Sequence, residues 1–191
     1  MAHQQSKLTK VSSKPASSVA SSVTIRDRES SSGRFRTRER AERVRGTSGI
    51  KMEKATDQFT AFKQSVVETG TVERIDRIRK GIDARHIIPI SEYFKISREA
   101  IGGIIGISPA TMNRKIKSHS VLTPAESERL ERIAQVEFEA ELVFGDPDSA
   151  KKWLLQENSA LKSQPLAMLD TDIGTKEVRK ALNAIAYGGV V

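Results

Sequence analysis

Residues 97–118, SREAIGGIIGISPATMNRKIKS, constrain the fold more than any other stretch, because they set two short helical patterns around a glycine. Ser97 is placed to cap a helix whose apolar face is Ala100, Ile101, Ile104 and Ile105. Gly106 supplies the break and Ile107 packs back as the turn residue. Ser108 and Pro109 open a second helix, with a hydroxyl at the N-cap and proline in the first turn, where each is favoured. Met112 and Ile116 lie four apart and face inward, which leaves Thr111, Asn113, Arg114, Lys115 and Lys117 on the other faces. A short basic helix held across a preceding helix by a glycine turn is the device that enters a DNA major groove. The candidate DNA contacts are therefore Ser108, Thr111, Asn113, Arg114, Lys115 and Lys117. Arg and Lys suit guanine edges, Asn suits adenine, and Ser108 with the free amides of the helix start suits phosphate. Ser118 and His119 lie close enough in sequence to reach phosphate as well, although solvent exposure accounts for both.

The charge is unevenly spread. Residues 1–54 hold 13 Lys/Arg against 5 Asp/Glu, residues 55–119 hold 11 against 7, and residues 120–191 hold 8 against 12. A basic front and middle are drawn to phosphates, whereas the acidic back is a poor DNA surface and suits a protein partner. Residues 1–54 are rich in Ser and Arg and poor in large apolar side chains, so they are expected to be a disordered basic arm. The arm reads equally as a tract that follows a DNA backbone, as a solvated tail, or as an extension upstream of a start at Met52.

The rest reads as all-α, because no segment alternates with period 2. A helix over 55–68 carries Phe59, Phe62, Val66 and Val67, and Gly70 ends it. Val72, Ile75 and Ile78 continue the stripe to Gly81, and a helix over Ala84–Lys95 supports the motif, with Pro89 in its first turn. Leu122-Thr123-Pro124 starts a helix over 124–144 with Leu130, Ile133, Ala134, Val136, Leu142 and Val143 inward. Its glutamates, including Glu131, Glu137, Glu139 and Glu141, are expected on a solvated face. Asp146-Pro147 starts a helix with Ala150, Trp153 and Leu154 inward. After a loop over 158–164 and an apolar turn at 165–169, Gly174 is expected to break the chain before a last helix from Thr175 to Tyr187. The domains expected are an N-terminal helix over 55–71, a helix-turn-helix unit over 72–120 and an α-helical unit over 121–191.

Several chemistries have no support. There is no cysteine, so disulfides, thiolate nucleophiles and cysteine-bound zinc are excluded. His3, His86 and His119 are far apart and lack the spacing of a metal site. No glycine-rich phosphate loop is followed by a lysine, so neither catalysis nor a cofactor is expected. No apolar run approaches the roughly 18 residues of a membrane span, and the expected location is the cytoplasm.

From Val72 onward the chain resembles the Xre-type antitoxins of the MbcA/ParS/Xre family, partners of RES-domain toxins. The likeness rests on ERIDRIRKGI (73–82), IGISPATMNRKIK (105–117), LTPAESERLERIA (122–134), VFGDPDSAKKWL (143–154), NSAL (158–161), PLAMLDTDIG (165–174) and VRKALNAIAYG (178–188). It implies a Cro/Xre-like helix-turn-helix domain followed by a small toxin-binding domain. It also implies an inhibitor whose terminal segment obstructs the NAD pocket of an NAD-consuming toxin, and which represses its own operon. Leu182, Ile185, Tyr187, Gly188, Gly189, Val190 and Val191 are then the toxin-facing candidates, although an amphipathic last helix closing its own bundle explains Leu182. Trp153 reads either as core or as an interface anchor. The expected partners are a RES-domain toxin, double-stranded operator DNA and a second copy of the chain within a larger toxin–antitoxin complex, with the helix 124–144 as the dimer element. A stand-alone regulator with a protein-binding C-terminal unit, and a nucleic-acid packaging protein using the arm, are the other classes open.

Two departures from the family pattern stand out. Gly102 and Gly103 fall inside the first motif helix, where each costs about 0.8–1 kcal/mol against alanine. They either loosen the unit or admit close packing against the recognition helix. The arm before Met52 lies outside the likeness altogether.

Overall fold

Local capping chemistry sets where the helices begin. The computed structural model describes residues 54–188; the expectations for residues 1–53 and for Gly189, Val190 and Val191 lie outside the described residues. The elements are α1 (54–68), α2 (Thr71–Lys80), a 3-10 turn (Ala84–His86) running into α3 (Ile87–Phe94), α4 (Arg98–Ile105) and α5 (Pro109–Lys117). They continue with α6 (Pro124–Phe144), α7 (Pro147–Leu155), a second 3-10 turn (Ala167–Asp170) and α8 (Asp172–Ala186). Among the described residues there is no β-strand, only two single antiparallel pairings, Asp83 with Val121 and Asn158 with Ser163. Ser97, Ser108, Thr123, Asp146 and Thr171 each accept a backbone N–H at the start of α4, α5, α6, α7 and α8. A cap of this kind contributes about 1 kcal/mol. Proline occupies the first turn of α5, α6 and α7, where its missing N–H costs nothing. Gly106 (φ 80°) and Gly145 (φ 81°) end α4 and α6 in the left-handed region.

Helix α6 is the spine. Leu130, Ile133, Ala134, Val136 and Ala140 are fully buried along it, and it packs against α2, α4, α7 and α8. One contiguous core gathers Phe59 and Val66 from α1, Ile90 and Phe94 from α3, Ile101 from α4, Met112 from α5, Leu154 from α7 and Val178 from α8. The core therefore runs across the expected boundary at 120/121. So much of α6 is covered that only Pro124, Ala125 and Leu142 along it are exposed, which leaves this helix little free surface for pairing with a second copy.

The structure corrects the expected solvated acidic face. Glu131 and Glu137 are buried. Lys63 of α1, itself 4% exposed, sits 2.6 Å from Glu137 and also contacts Glu141. The Tyr93 hydroxyl donates to Glu137, and burial followed by that carboxylate pushes its pKa above the ordinary tyrosine range. Arg77 pairs with Glu131, and Arg74 approaches the same carboxylate at 3.6 Å. Buried charge is tolerated only when paired, so these contacts pin α1, α2 and α3 to the spine.

Other differences are local. The long helix expected over Ala84–Lys95 divides into a 3-10 turn and α3, because the Asp83 carboxylate draws in the Arg85 N–H. Ala100 is exposed, since on the 3.6-residue period it lies nearly opposite Gly102. Leu142 points outward at 68% exposure, and α2 buries none of its residues. Gly174 is not a break; it lies in the first turn of α8, capped by Thr171, where a Cβ would stand 2.2 Å from the Met168 carbonyl oxygen.

The paired glycines of α4 behave differently. A Cβ on Gly102 would meet the Ile107 oxygen and the Met112 sulfur at 3.3 Å, whereas on Gly103 it would meet nothing within 4 Å. Gly103→Ala is expected to raise stability by about 0.8–1 kcal/mol, while Gly102→Ala forces the turn and α5 to shift and loses that gain; urea unfolding of both variants measures the contrast. Replacing both Glu137 and Glu141 by alanine strands the buried Lys63 ammonium and is expected to lower stability by about 3–5 kcal/mol, read in the same assay.

Candidate functional site

The motif at 97–118 folds as a helix-turn-helix. Gly106 turns the chain out of α4, the Ile107 N–H donates to the Gly102 oxygen at 2.9 Å, and Ile107 is buried. Met112 of α5 is fully buried and lies against bare Gly102. That close approach is what sets α5 across α4.

The six candidate DNA contacts separate by environment. Asn113, Arg114 and Lys117 are exposed and line a shallow depression with Ala110 and Ser118. No hydrogen bond or ion pair among the described residues engages their side chains, so all three are free to meet a ligand. Ser108 and Thr111 are tied to one another: the Ser108 oxygen accepts the Thr111 N–H at 3.3 Å and its hydroxyl donates to Thr111 Oγ1 at 2.9 Å. Lys115 turns inward, and its Nζ donates to Glu126 at 2.8 Å. Glu126 also accepts the Thr123 N–H at 2.8 Å and closes the capping box of α6. Burial acts to raise the Glu126 carboxyl, but the Lys115 ammonium and the Thr123 groups outweigh it and hold its pKa below the usual carboxylate range. Lys115 is thus a latch between α5 and the spine. Ser118 is occupied with the Arg114 oxygen at 2.9 Å, while exposed His119 takes a left-handed φ of 54°.

A link that sequence reasoning missed runs through Arg129. One guanidinium nitrogen donates to the Ile105 oxygen at the end of α4 (3.1 Å), and Nε donates to the Asp170 oxygen just before α8 (3.1 Å). Arg132 adds a bond to the Leu169 oxygen at 3.0 Å. The partners lie 24 to 41 residues away in sequence, so no local pattern announces them.

At the C-terminal end, Trp153 is half-buried, 5.7 Å from the Phe144 ring. Leu182 belongs to the core, Ile185 is half-buried, Tyr187 is 89% exposed, and Gly188 has a φ of 69°. The ends of α6 and α8 enclose a groove with Leu182 in its wall and Leu142, Val143, Ala186 and Tyr187 around it. Arg179 and Glu139 close one side through paired bonds of 2.8 Å. Sequence reasoning places Leu142 inward, but on the 3.6-residue period it lies nearly opposite fully buried Ala140 and so faces solvent.

A separate cleft of about 810 Å³ lies between α1, α2 and the first 3-10 turn, lined in part by Phe62, Arg77, Asp83 and His86. Burial holds the His86 pKa below the usual range, and its ring lies 4.5 Å from Phe62. Asp83 is taken up by Arg85, whose hydrogen bonds hold the carboxyl below its usual range. Among the described residues no group of three or more His, Asp or Glu could hold a metal ion. None of their helices is long and apolar enough to cross a membrane.

Comparison with known proteins matches both halves. Residues 73–135 match the antitoxin Xre-like helix-turn-helix domain, and residues 139–188 match the antitoxin Xre/MbcA/ParS C-terminal toxin-binding domain. A curated relative named Antitoxin Xre, from Pseudomonas putida strain KT2440, is 33% identical over 113 residues, covering 59% of this chain and 70% of its own length. Another, named Prs ADP-ribosylating antitoxin, from Sphingobium sp. strain YBL2, is 27% identical over 145 residues, covering 71% of this chain and 90% of its own. With a helix-turn-helix and a toxin-binding domain in that order on one all-α core, the chain belongs to the Xre/MbcA/ParS family of antitoxins.

Proposed function

We propose that this antitoxin acts in the cytoplasm, inhibits a RES-type NAD-consuming toxin through its C-terminal end, and represses its own operon through α5. The observation that carries the toxin half is the open end of the toxin-binding domain. Tyr187 and Leu142 stand in solvent around a groove, at the end of the segment that matches the toxin-binding family. An exposed aromatic beside an apolar groove is the composition of an interface anchor. Gly188 and Gly189 leave the chain slender beyond it, which suits entry into a cleft. Leu182 forms part of the groove's wall, and Trp153 packs beside Phe144 near the end of α6. The name of one relative joins antitoxin to ADP-ribosylation, a reaction that draws its ADP-ribose from NAD, so a toxin of either chemistry offers an NAD-shaped cleft to plug. The chain itself contributes inhibition by contact, with no catalysis and no cofactor of its own.

The DNA half rests on Asn113, Arg114 and Lys117, which alone among the six candidates combine exposure with freedom from internal partners. Ser108 and Thr111 shape the helix start, where the Ala110 N–H is the first-turn amide placed for a phosphate, and Lys115 positions the helix. Arg129 ties the turn of the motif to the start of α8, so the DNA-reading and toxin-facing elements are held on one frame.

Co-expression with the product of the adjacent reading frame tests the toxin half. Restored growth and restored cellular NAD, with co-purification, are expected; a neighbour that is harmless or unbound leaves a stand-alone helix-turn-helix regulator instead. Deleting residues 187–191 is expected to abolish protection while leaving operator binding intact, as read by growth and by gel shift. Arg114→Ala is expected to weaken operator binding by about 1–3 kcal/mol and relax specificity at one base pair, whereas Lys117→Ala weakens all sequences alike and lowers the salt slope by about 1. Toxin binding is expected to be unchanged in both, and titration of operator and mutant-operator DNA at several salt concentrations separates the two effects.

A further inference from the structure

The segment that links α2 to α3 is fastened to the end of the recognition helix. The chain leaves α5 through a tight turn, in which the Ser120 N–H donates to the Lys115 oxygen at 2.9 Å. The Ala84 N–H then donates to the Ser120 oxygen at 3.1 Å, and the Leu122 N–H donates to the Ile82 oxygen at 2.8 Å. Asp83 and Val121 pair between these two bonds. Gly81 admits the close approach, since its φ is 88° and a Cβ there would stand 2.5 Å from the Leu122 oxygen.

Two cations flank this seam, and both are exposed. Lys80 is the last residue of α2, and its ammonium makes no hydrogen bond or ion pair among the described residues. Arg85 is held in place by its neighbour. The Asp83 carboxylate accepts the Arg85 N–H at 2.8 Å, Nε at 3.0 Å and Nη2 at 2.6 Å. A guanidinium has five N–H donors, so those on Nη1 remain unspent, and the side chain is 52% exposed. An exposed pair of this kind adds little to stability. What it adds is direction, because it fixes a planar fork beside the end of α5.

The surrounding charge favours an anion. Residues 77–86 and 109–122 together hold seven Lys/Arg and a single acid, Asp83. Arg77 and Lys115 are committed inward, to Glu131 and Glu126. Arg79, Lys80, Arg85, Arg114 and Lys117 remain at the surface. Lys80 and Arg85 are continuous with the DNA-facing side chains of α5 through the backbone bonds to residues 120–122. A helix seated in a major groove is bordered by phosphates, and roughly half to two-thirds of protein–DNA hydrogen bonds go to that backbone.

We propose that Lys80 and Arg85 hold the DNA backbone bordering the groove that α5 enters, Arg85 as an oriented fork on one phosphate and Lys80 as a point charge on another. The inference rests on the proposed DNA half of the function. It adds to the DNA surface two residues that precede the helix-turn-helix motif.

Titration with two duplexes at several salt concentrations tests it on the full chain, one duplex covering the region upstream of its own gene and the other of scrambled sequence. Lys80→Ala and Arg85→Ala are each expected to reduce the slope of log affinity against log salt by about 1, and the double variant by about 2, on both duplexes alike. Arg85→Lys is expected to keep the slope, because the charge remains, and to bind more weakly than the wild type, because the fork is lost. Lys180→Ala removes an exposed cation from α8 and is expected to leave the slope unchanged. Methylphosphonates placed singly along the upstream duplex are expected to reveal one position that weakens the wild type and leaves Arg85→Ala unaffected. A double variant with the wild-type slope overturns the inference, as does a Lys180→Ala slope that falls as far as that of Arg85→Ala. If Arg114→Ala weakens upstream binding in the same series, the DNA reading survives that failure. A wild type that binds neither duplex overturns both.

Discussion

The burial of Glu131 and Glu137 on one helix organises the molecule. A carboxylate removed from water needs a cation or a strong donor, since its desolvation costs several kcal/mol unless offset by pairing. Arg77 and Arg74 answer Glu131, while Lys63 and Tyr93 answer Glu137. These partners come from α1, α2 and α3, all of which precede the motif helices. Moving α1 or α2 would leave a buried carboxylate without its cation, and moving α3 would remove a donor from Glu137. Apolar packing alone would hold them against α6 without dictating how far along or around it they sit; the ion pairs dictate both.

The same spine joins the two functional ends. Its first turn receives Lys115 from the recognition helix, its second sends Arg129 to the turn of the motif and to the start of α8, and its last turns form one wall of the C-terminal groove. The boundary between the two family domains falls within α6, between residues 135 and 139, in a continuous helix with buried residues on both sides of the division. The helix-turn-helix and the C-terminal groove are therefore parts of one packed body, and Arg129 bonds to the turn of the one and to the segment that opens α8 in the other.

Much of this is legible in the residues because it depends on neighbours in sequence. Ser97, Ser108, Thr123 and Asp146 cap helices through donors within three residues, and Gly106 and Gly145 end them by a backbone geometry that glycine adopts freely. The recognition helix and its exposed Asn113, Arg114 and Lys117 follow from the same local rules. Sequence reasoning fails where position along the chain stops predicting position in space. Leu142 is apolar among core residues but lies nearly opposite fully buried Ala140 on α6. Val72 and Ile75 are apolar at helical spacing too, on a helix that offers its core side to arginines. Gly174 reads as a break because glycine usually ends helices; here it admits the Met168 carbonyl oxygen instead.

The residues alone dictate the set of helices, their caps and ends, the helix-turn-helix and the family, because hydrogen bonds within three or four residues and the 3.6-residue period are written in adjacent positions. Which charges are internal is settled only by the folded chain. Glu137 finds Tyr93 across 44 residues, Glu131 finds Arg77 across 54, and Lys115 of α5 finds Glu126 across 11. A charged side chain looks the same in sequence whether water or a buried partner answers it; only the packing of distant segments removes the water and makes the pairing obligatory.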